Sequence, residues 1–183
     1  MRELSLNVLD IAQNSISANA SLIEIEIIED TALKEMLIGI YDNGKGMTQE
    51  QVQNVQDPFF TTRTTRKVGM GIPLFKLAAE QTGGYLKIES EVGKGTRVTA
   101  FFKTDSIDFT PLGDIDSTII MLITMNTDRN FTYRLKVDDK EFTLATSELK
   151  NILGDVPLNQ PSVTEWIKEY LHEQTQITRG GVL

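Results

Sequence analysis

"YDNGKGM", residues 41–47, closes the apolar run "MLIGIYD" and decides how the chain is read. A strand that ends on a carboxylate and then spends two glycines within three residues is an odd hairpin. Asn-Gly in a hairpin would lead into a second alternating strand. The next stretch is instead "TQEQVQNVQ", polar and helical in character. A tight turn with a solvated Asp is the competing reading of such a string. The flanking sequence separates the two.

Upstream, "RELSLNVLDIAQNSISANA" has the spacing of an amphipathic helix. Val8, Ile11 and Ser15 share one flank, Leu9, Ala12 and Ile16 lie beside it, and Asp10 and Asn14 stack four residues apart. "SLIEIEIIED" then alternates strictly, with Ile23, Ile25 and Ile27 on one side and Glu24 and Glu26 on the other. Downstream, "GMGIPLFKLAAEQTGG" predicts a helix with Pro73 in its first turn and Gly83-Gly84 at its end. "YLKIES" and "TRVTAFFK" come after it as strands joined by "EVGKG". Helix, two strands, helix, two strands predicts a two-layer α/β sandwich of the α+β class.

"TDSIDFTPLGD" punctuates the chain with Pro and Gly, which places a boundary near residue 105. Residues 1–104 are expected to form one domain and 105–183 a small α+β C-terminal extension. The extension offers a helix ("IDSTIIMLITMN"), a hairpin ("FTYRLKV-DDK-EFTLAT"), a short helix ("SELKNIL") and a last helix ("SVTEWIKEYLHEQT"). "QITRGGVL" reads as a frayed tail.

Composition narrows the chemistry. A chain of 183 residues, 40% hydrophobic and 24% charged, is globular in composition. It has no cysteine and one histidine, so thiol catalysis, disulfides and multi-histidine metal sites are excluded. A net charge of -8 argues against a general nucleic-acid binder. The opening residues lack a signal peptide's apolar core, and no run nears the roughly 20 apolar residues of a membrane span. The expected location is the cytoplasm, without a membrane anchor.

Three glycine-bearing segments remain: "DNGKG" at 42–46, "GMG" at 69–71 and "GKG" at 93–95. Neither "GKG" ends in the G-K-[ST] of a P-loop, and the third glycine of a dinucleotide fingerprint is missing. Taken in order behind the helix bearing Asn14, the segments resemble the GHKL ATP-binding superfamily, which includes gyrase, the ninety-kilodalton heat-shock chaperones, histidine kinases and mismatch-repair MutL. "LDIAQNSISANA" resembles its N box, "YDNGKGM" its G1 box, "DPFFTT" its F box, "GMGI" its G2 box and "GKGT" its third glycine box. The likeness covers about residues 3–103.

The resemblance implies ATP and Mg²⁺ as ligands and assigns roles residue by residue. Asp42 would accept a hydrogen bond from the adenine amine, with Thr96 supporting it through water. Gly44 and Gly46 would let the backbone pass the base without a β-carbon, beside Met47. Asn14 would hold Mg²⁺ against the phosphates, as an amide oxygen suits a hard ion. Phe60, Thr61, Thr62, Arg63, Arg66 and Lys67 would belong to a lid, and Gly69, Met70 and Gly71 to the phosphate-facing helix start. Three cations within five residues are a local exception in so acidic a chain. Asp10 stands where family members that hydrolyse ATP, or phosphorylate a hydroxyl, often carry a Glu base. It is therefore the candidate catalytic residue, and a structural Asp is the alternative. His172, in "LHEQTQI", comes after rather than before the ATP-binding part and lacks the Pro of a phosphoacceptor box.

The expectation is thus a small ATPase or protein kinase binding ATP or ADP and acting on a protein partner or phosphoacceptor, with a homodimer left open. The alternatives are a non-catalytic ATP-dependent switch and the catalytic half of a split histidine kinase.

Overall fold

The structure, a computed structural model, describes residues 3–59 and 70–181. In these, six helices accompany a six-stranded sheet. The first helix, α1 (Leu4–Ser17), buries Leu4, Val8, Ile11, Ala12 and Ser15, the flank its periodicity predicts. β1 (Leu22–Asp30) and β2 (Glu35–Asp42) pair antiparallel, with Ile25 opposite Ile40 and Ile27 opposite Ile38. Period-two alternation sends all four side chains to one side of the sheet, and all four are buried.

The short helix α2 (Gln49–Asn54) begins with a capping box. Gln51 N donates to Thr48 Oγ1 at 3.2 Å and Thr48 N donates to Gln51 Oε1 at 2.9 Å. α3 (Gly71–Gln81) packs beside α1 and buries Phe75 and Ala79. Phe75 meets Phe102 at 5.8 Å between ring centres. β3 (Tyr85–Glu91) and β4 (Gly95–Lys103) complete this part of the sheet, β4 lying against β2 so that Asp42 faces Thr96.

The remainder extends the same sheet. α4 (Ile115–Met125) starts on an N-cap, with the Asp114 carboxylate accepting from Ser117 N at 3.0 Å and Ser117 Oγ at 2.7 Å. These hydrogen bonds hold the Asp114 carboxyl below the ordinary aspartate range. β5 (Asn130–Val137) and β6 (Lys140–Ala145) form the expected hairpin, and β5 adds to β1 in parallel. The sheet order is therefore β3-β4-β2-β1-β5-β6. α5 (Thr146–Leu153) and α6 (Pro161–Thr178) close the chain. α6 runs further than the sequence predicts: Thr178, expected in a frayed tail, is a buried helical residue. Next to it, the Arg179 guanidinium donates to Glu29 at 2.9 Å. The added residues, 176–178, escape sequence reading because the one that is buried, Thr178, carries no apolar signal.

One hydrophobic core joins the two parts, from Leu4 and Phe102 to Leu135 and Ile167. No described helix is long and apolar enough to cross a membrane.

Candidate functional site

A cavity of about 650 Å³ opens between α1, α2, the start of α3 and the ends of β2 and β4. Ile11, Met47, Ile72 and Val98 give it apolar walls, while Asn14, Ser15, Asp42 and Thr96 bring polar groups. This is the size and the mixture of a small-molecule site.

Asp42 stands at the last position of β2 with both carboxylate oxygens engaged. Oδ2 accepts from Ser15 Oγ at 2.6 Å and Oδ1 from Gly44 N at 2.9 Å. Ser15 has one hydroxyl proton, and the Ile11 carbonyl at 3.5 Å is the poorer acceptor, so that proton goes to the carboxylate. Each carboxylate oxygen can accept twice. Asp42 is thus fixed in plane with acceptor capacity left over for an amine inside the cavity.

The loop after Asp42 is pressed between α1 and the β3–β4 turn. Lys45 N donates to the Ala18 carbonyl at 2.9 Å, and Gly93 N donates to the Lys45 carbonyl at 2.7 Å. Gly46 has φ +68, and a β-carbon there would lie 2.0 Å from the Glu91 carbonyl oxygen. No L side chain fits that approach. Gly44 is buried against Ala18. Met47 N donates to Ser90 Oγ at 2.8 Å, and Ser90 donates to the Gly95 carbonyl at 2.9 Å. With its proton so used, Ser90 accepts from Thr96 Oγ1 at 2.8 Å, which leaves the Thr96 oxygen's lone pairs for another donor.

Asn14 is exposed on the cavity wall, and among the described residues its side-chain amide has no hydrogen-bond partner. Asp10 lies one turn earlier on α1 and is not part of the cavity lining. The start of α3 packs on its stem: a β-carbon on Gly71 would sit 3.0 Å from Asp10 Cβ. Although Asp10 reaches the surface, partial burial pushes its carboxyl pKa up from the usual 3.8. Met70, half exposed, lines the cavity at the N-cap of α3.

The structure therefore brings Asn14, Asp42, Gly46, Met47, Met70 and Thr96 to one cavity, with Gly44 and Gly71 behind it. Phe60, Thr61, Thr62, Arg63, Arg66, Lys67 and Gly69 lie outside the described residues. His172 is exposed on α6, next to Gln176. Sequence reasoning missed Ser15 and Ser90 as parts of the site. The signal for Ser15 was present, a hydroxyl residue on the buried flank of α1, but its partner is 27 residues away.

This arrangement of boxes and cavity has a counterpart among known proteins. Residues 1–106 match the family described as histidine kinase-, DNA gyrase B- and HSP90-like ATPase. The chain belongs to that family. The match assigns the ATP-binding fold of the family to this part of the molecule. Sporulation kinase C of Bacillus subtilis (strain 168) is 32% identical over 100 residues, covering 54% of this chain and 23% of that protein. Sensor protein SrrB of Staphylococcus aureus (strain NCTC 8325 / PS 47) is 40% identical over 78 residues, covering 40% of this chain and 13% of that protein. The chain thus spans less than a quarter of the length of either relative. Among solved structures, the N-terminal domain of a DNA repair protein matches with a TM-score of 0.54 at 18% identity, over 79% of this chain and 53% of that one. The likeness is one of fold. It covers more of the chain than the family match does, and so takes in part of the extension.

Proposed function

We propose that the chain is a cytoplasmic, Mg²⁺-dependent ATP-binding protein of the signalling type, which hydrolyses ATP or passes its γ-phosphate to a hydroxyl of a protein partner. One observation carries the reading: Asp42, anchored through both oxygens at the end of β2, faces a cavity whose wall also bears Asn14. A fixed acceptor favours the adenine amine and disfavours guanine, which has a carbonyl at that position. The mismatch leaves a buried polar group without its partner.

Asn14 fits the metal role, its amide oxygen standing on the wall of the same cavity with no partner among the described residues. No group of three His, Cys, Asp or Glu able to hold an ion occurs among the described residues. The other ligands of Mg²⁺ would then be phosphate oxygens and water, its usual environment in nucleotide sites. Bound Mg²⁺ would supply charge neutralisation at the phosphates. Asp10, on the same helix, is assigned as the base that takes a proton from water or a hydroxyl. A second reading, an ATP-dependent switch without turnover, is favoured by the position of Asp10 outside the cavity lining.

Calorimetric titration of the whole chain with ATP and GTP, with and without Mg²⁺, tests the proposal. ATP should bind more tightly than GTP. Asp42→Asn should weaken ATP by roughly 10- to 100-fold, because hydrogen bonds to charged groups contribute about 1.5–3 kcal/mol. Equal affinities for the two nucleotides in the wild type would overturn the adenine reading.

A further inference from the structure

The adenine end of the cavity is tied to the C-terminal extension by an unbroken run of hydrogen bonds. Lys150, on α5, donates to the Arg129 carbonyl at 2.7 Å and to Asn130 Oδ1 at 2.9 Å. Arg129 in turn donates from Nη1 to the Ala20 carbonyl, and Asn130 N donates to the Ser21 carbonyl at 2.8 Å. Both acceptors belong to the turn between α1 and β1. From that turn, Ser21 N and Leu22 N donate to Asn43 Oδ1 at 2.9 and 3.0 Å, and Asn43 Nδ2 donates back to Ser21 Oγ at 2.9 Å. Asn43 is the residue directly after Asp42. The same turn receives the next loop residue but one, through Lys45 N on the Ala18 carbonyl.

Among the described residues, neither cation makes a close ion pair. The carboxylate nearest the Arg129 guanidinium is that of Asp128, at 4.0 Å, and the Arg129 side chain is 16% exposed. Lys150 spends its ammonium on two neutral oxygens, and burial lowers its pKa. Two charges turned onto backbone carbonyls and an amide have one evident effect, holding the α1–β1 turn in a single arrangement. The loop that carries Asp42 rests on that turn.

We propose that Arg129 and Lys150 are positioning residues for the adenine end of the nucleotide site, so that the extension sets how well the chain tells adenine from other bases. This rests on Asp42 being the adenine acceptor. Neither cation lines the cavity. They act through Ala20, Ser21 and Asn43.

The test uses full-length variants and two probes, ATP and inosine triphosphate, the latter with a carbonyl in place of the adenine amine. Arg129→Met and Lys150→Met should each weaken ATP binding by roughly three- to tenfold, the range found when coupled networks are cut. Inosine triphosphate binding should change little, so the ratio of affinities falls. Arg129→Lys should recover part of the ratio. Asn43→Ala combined with Arg129→Met should be no worse than the weaker-binding single variant, because both interrupt one connection.

Affinities for both nucleotides that fall together would mark Arg129 and Lys150 as general stabilisers, and unchanged affinities would remove them from the site. Additive effects of Asn43→Ala and Arg129→Met would overturn the connection between them. Should Arg129→Met not fold, Lys150→Met reads the same ratio alone. A wild type that binds both nucleotides equally would sink the role of Asp42 and this inference with it. A wild type that prefers ATP, with variants that keep the preference, would sink this inference alone.

Discussion

Glycines punctuate both parts of the chain, and two beside the cavity differ in their surroundings from one that only ends a helix. In the nucleotide half, a β-carbon on Gly46 would collide with the Glu91 carbonyl, and one on Gly95 would lie 1.9 Å from the Asp42 carbonyl oxygen. Main chain passes main chain there without room for a side chain, and the cavity lies beside the crossing. In the extension, Gly154 ends α5 with φ +59, and nothing stands within 4 Å of where its β-carbon would be. Gly46 and Gly95 are required by contact, Gly154 by backbone angle alone. The comparison separates glycines that build a site from a glycine that stops a helix.

The largest effect expected from the nucleotide half concerns turnover, not structure. Asp10→Asn should lower ATP turnover by about 10²–10⁴-fold, the usual contribution of a general base, with ATP affinity within a few-fold of wild type. Steady-state phosphate release and calorimetry on the same preparation check it. Since burial raises the Asp10 pKa above 3.8, its share of turnover should fall as pH drops through that raised value, where the base becomes protonated. If wild type and Asp10→Asn turn over equally, Asp10 is not the base.

Next in size is the paired test of the glycines. Gly46→Ala should cost on the order of 2–4 kcal/mol of stability and disable nucleotide binding, because the displaced atom is backbone. Gly154→Ala should cost about 1–3 kcal/mol from its backbone angle alone and leave ATP affinity intact. Thermal melts together with titrations separate the two. Loss of ATP binding in Gly154→Ala would break the comparison.

Asn14→Ala sharpens it at the phosphate end. Binding of ATP should weaken in the presence of Mg²⁺ and stay nearly constant in EDTA, since this side chain is assigned to the metal and not to the base. An equal loss in both conditions would assign it to the nucleotide itself.

The smallest effect belongs to Ser15. Removing the hydroxyl with Ser15→Ala leaves Asp42 its other anchor at Gly44, so ATP affinity, read by the same titration, should drop by only about three- to tenfold. Ser15→Thr should retain most of it.

Local patterns made the nucleotide half readable. The alternation of Ile23, Ile25 and Ile27, the period of α1 and the glycine boxes each repeat or close within a few residues, and the structure places the strand and helix as spaced. The hydrogen bond from Ser15 to Asp42 and the parallel pairing of β1 with β5 join distant parts of the chain, and no local period encodes them. The elements of the extension were readable as helix, hairpin and helices. Their place was not, because the edge that β5 joins is a property of β1, which reads the same whether its second neighbour is a strand or solvent. The final turn of α6 was hidden for a different reason, its buried face being threonine.

Pairing of β1 with β5 also dictates an order of assembly. β1 has β2 on one side at once, but its other edge waits until the chain through Val137 has been made. During that interval a strand holding Ile23, Ile25, Ile27 and Ile28 presents unpaired main-chain groups to any neighbouring chain. Contacts between residues so far apart in sequence form late, and an open apolar edge is a template for aggregation meanwhile. Fragments cut near residue 104 would keep that edge open permanently, so they should self-associate through β1 where the full chain does not.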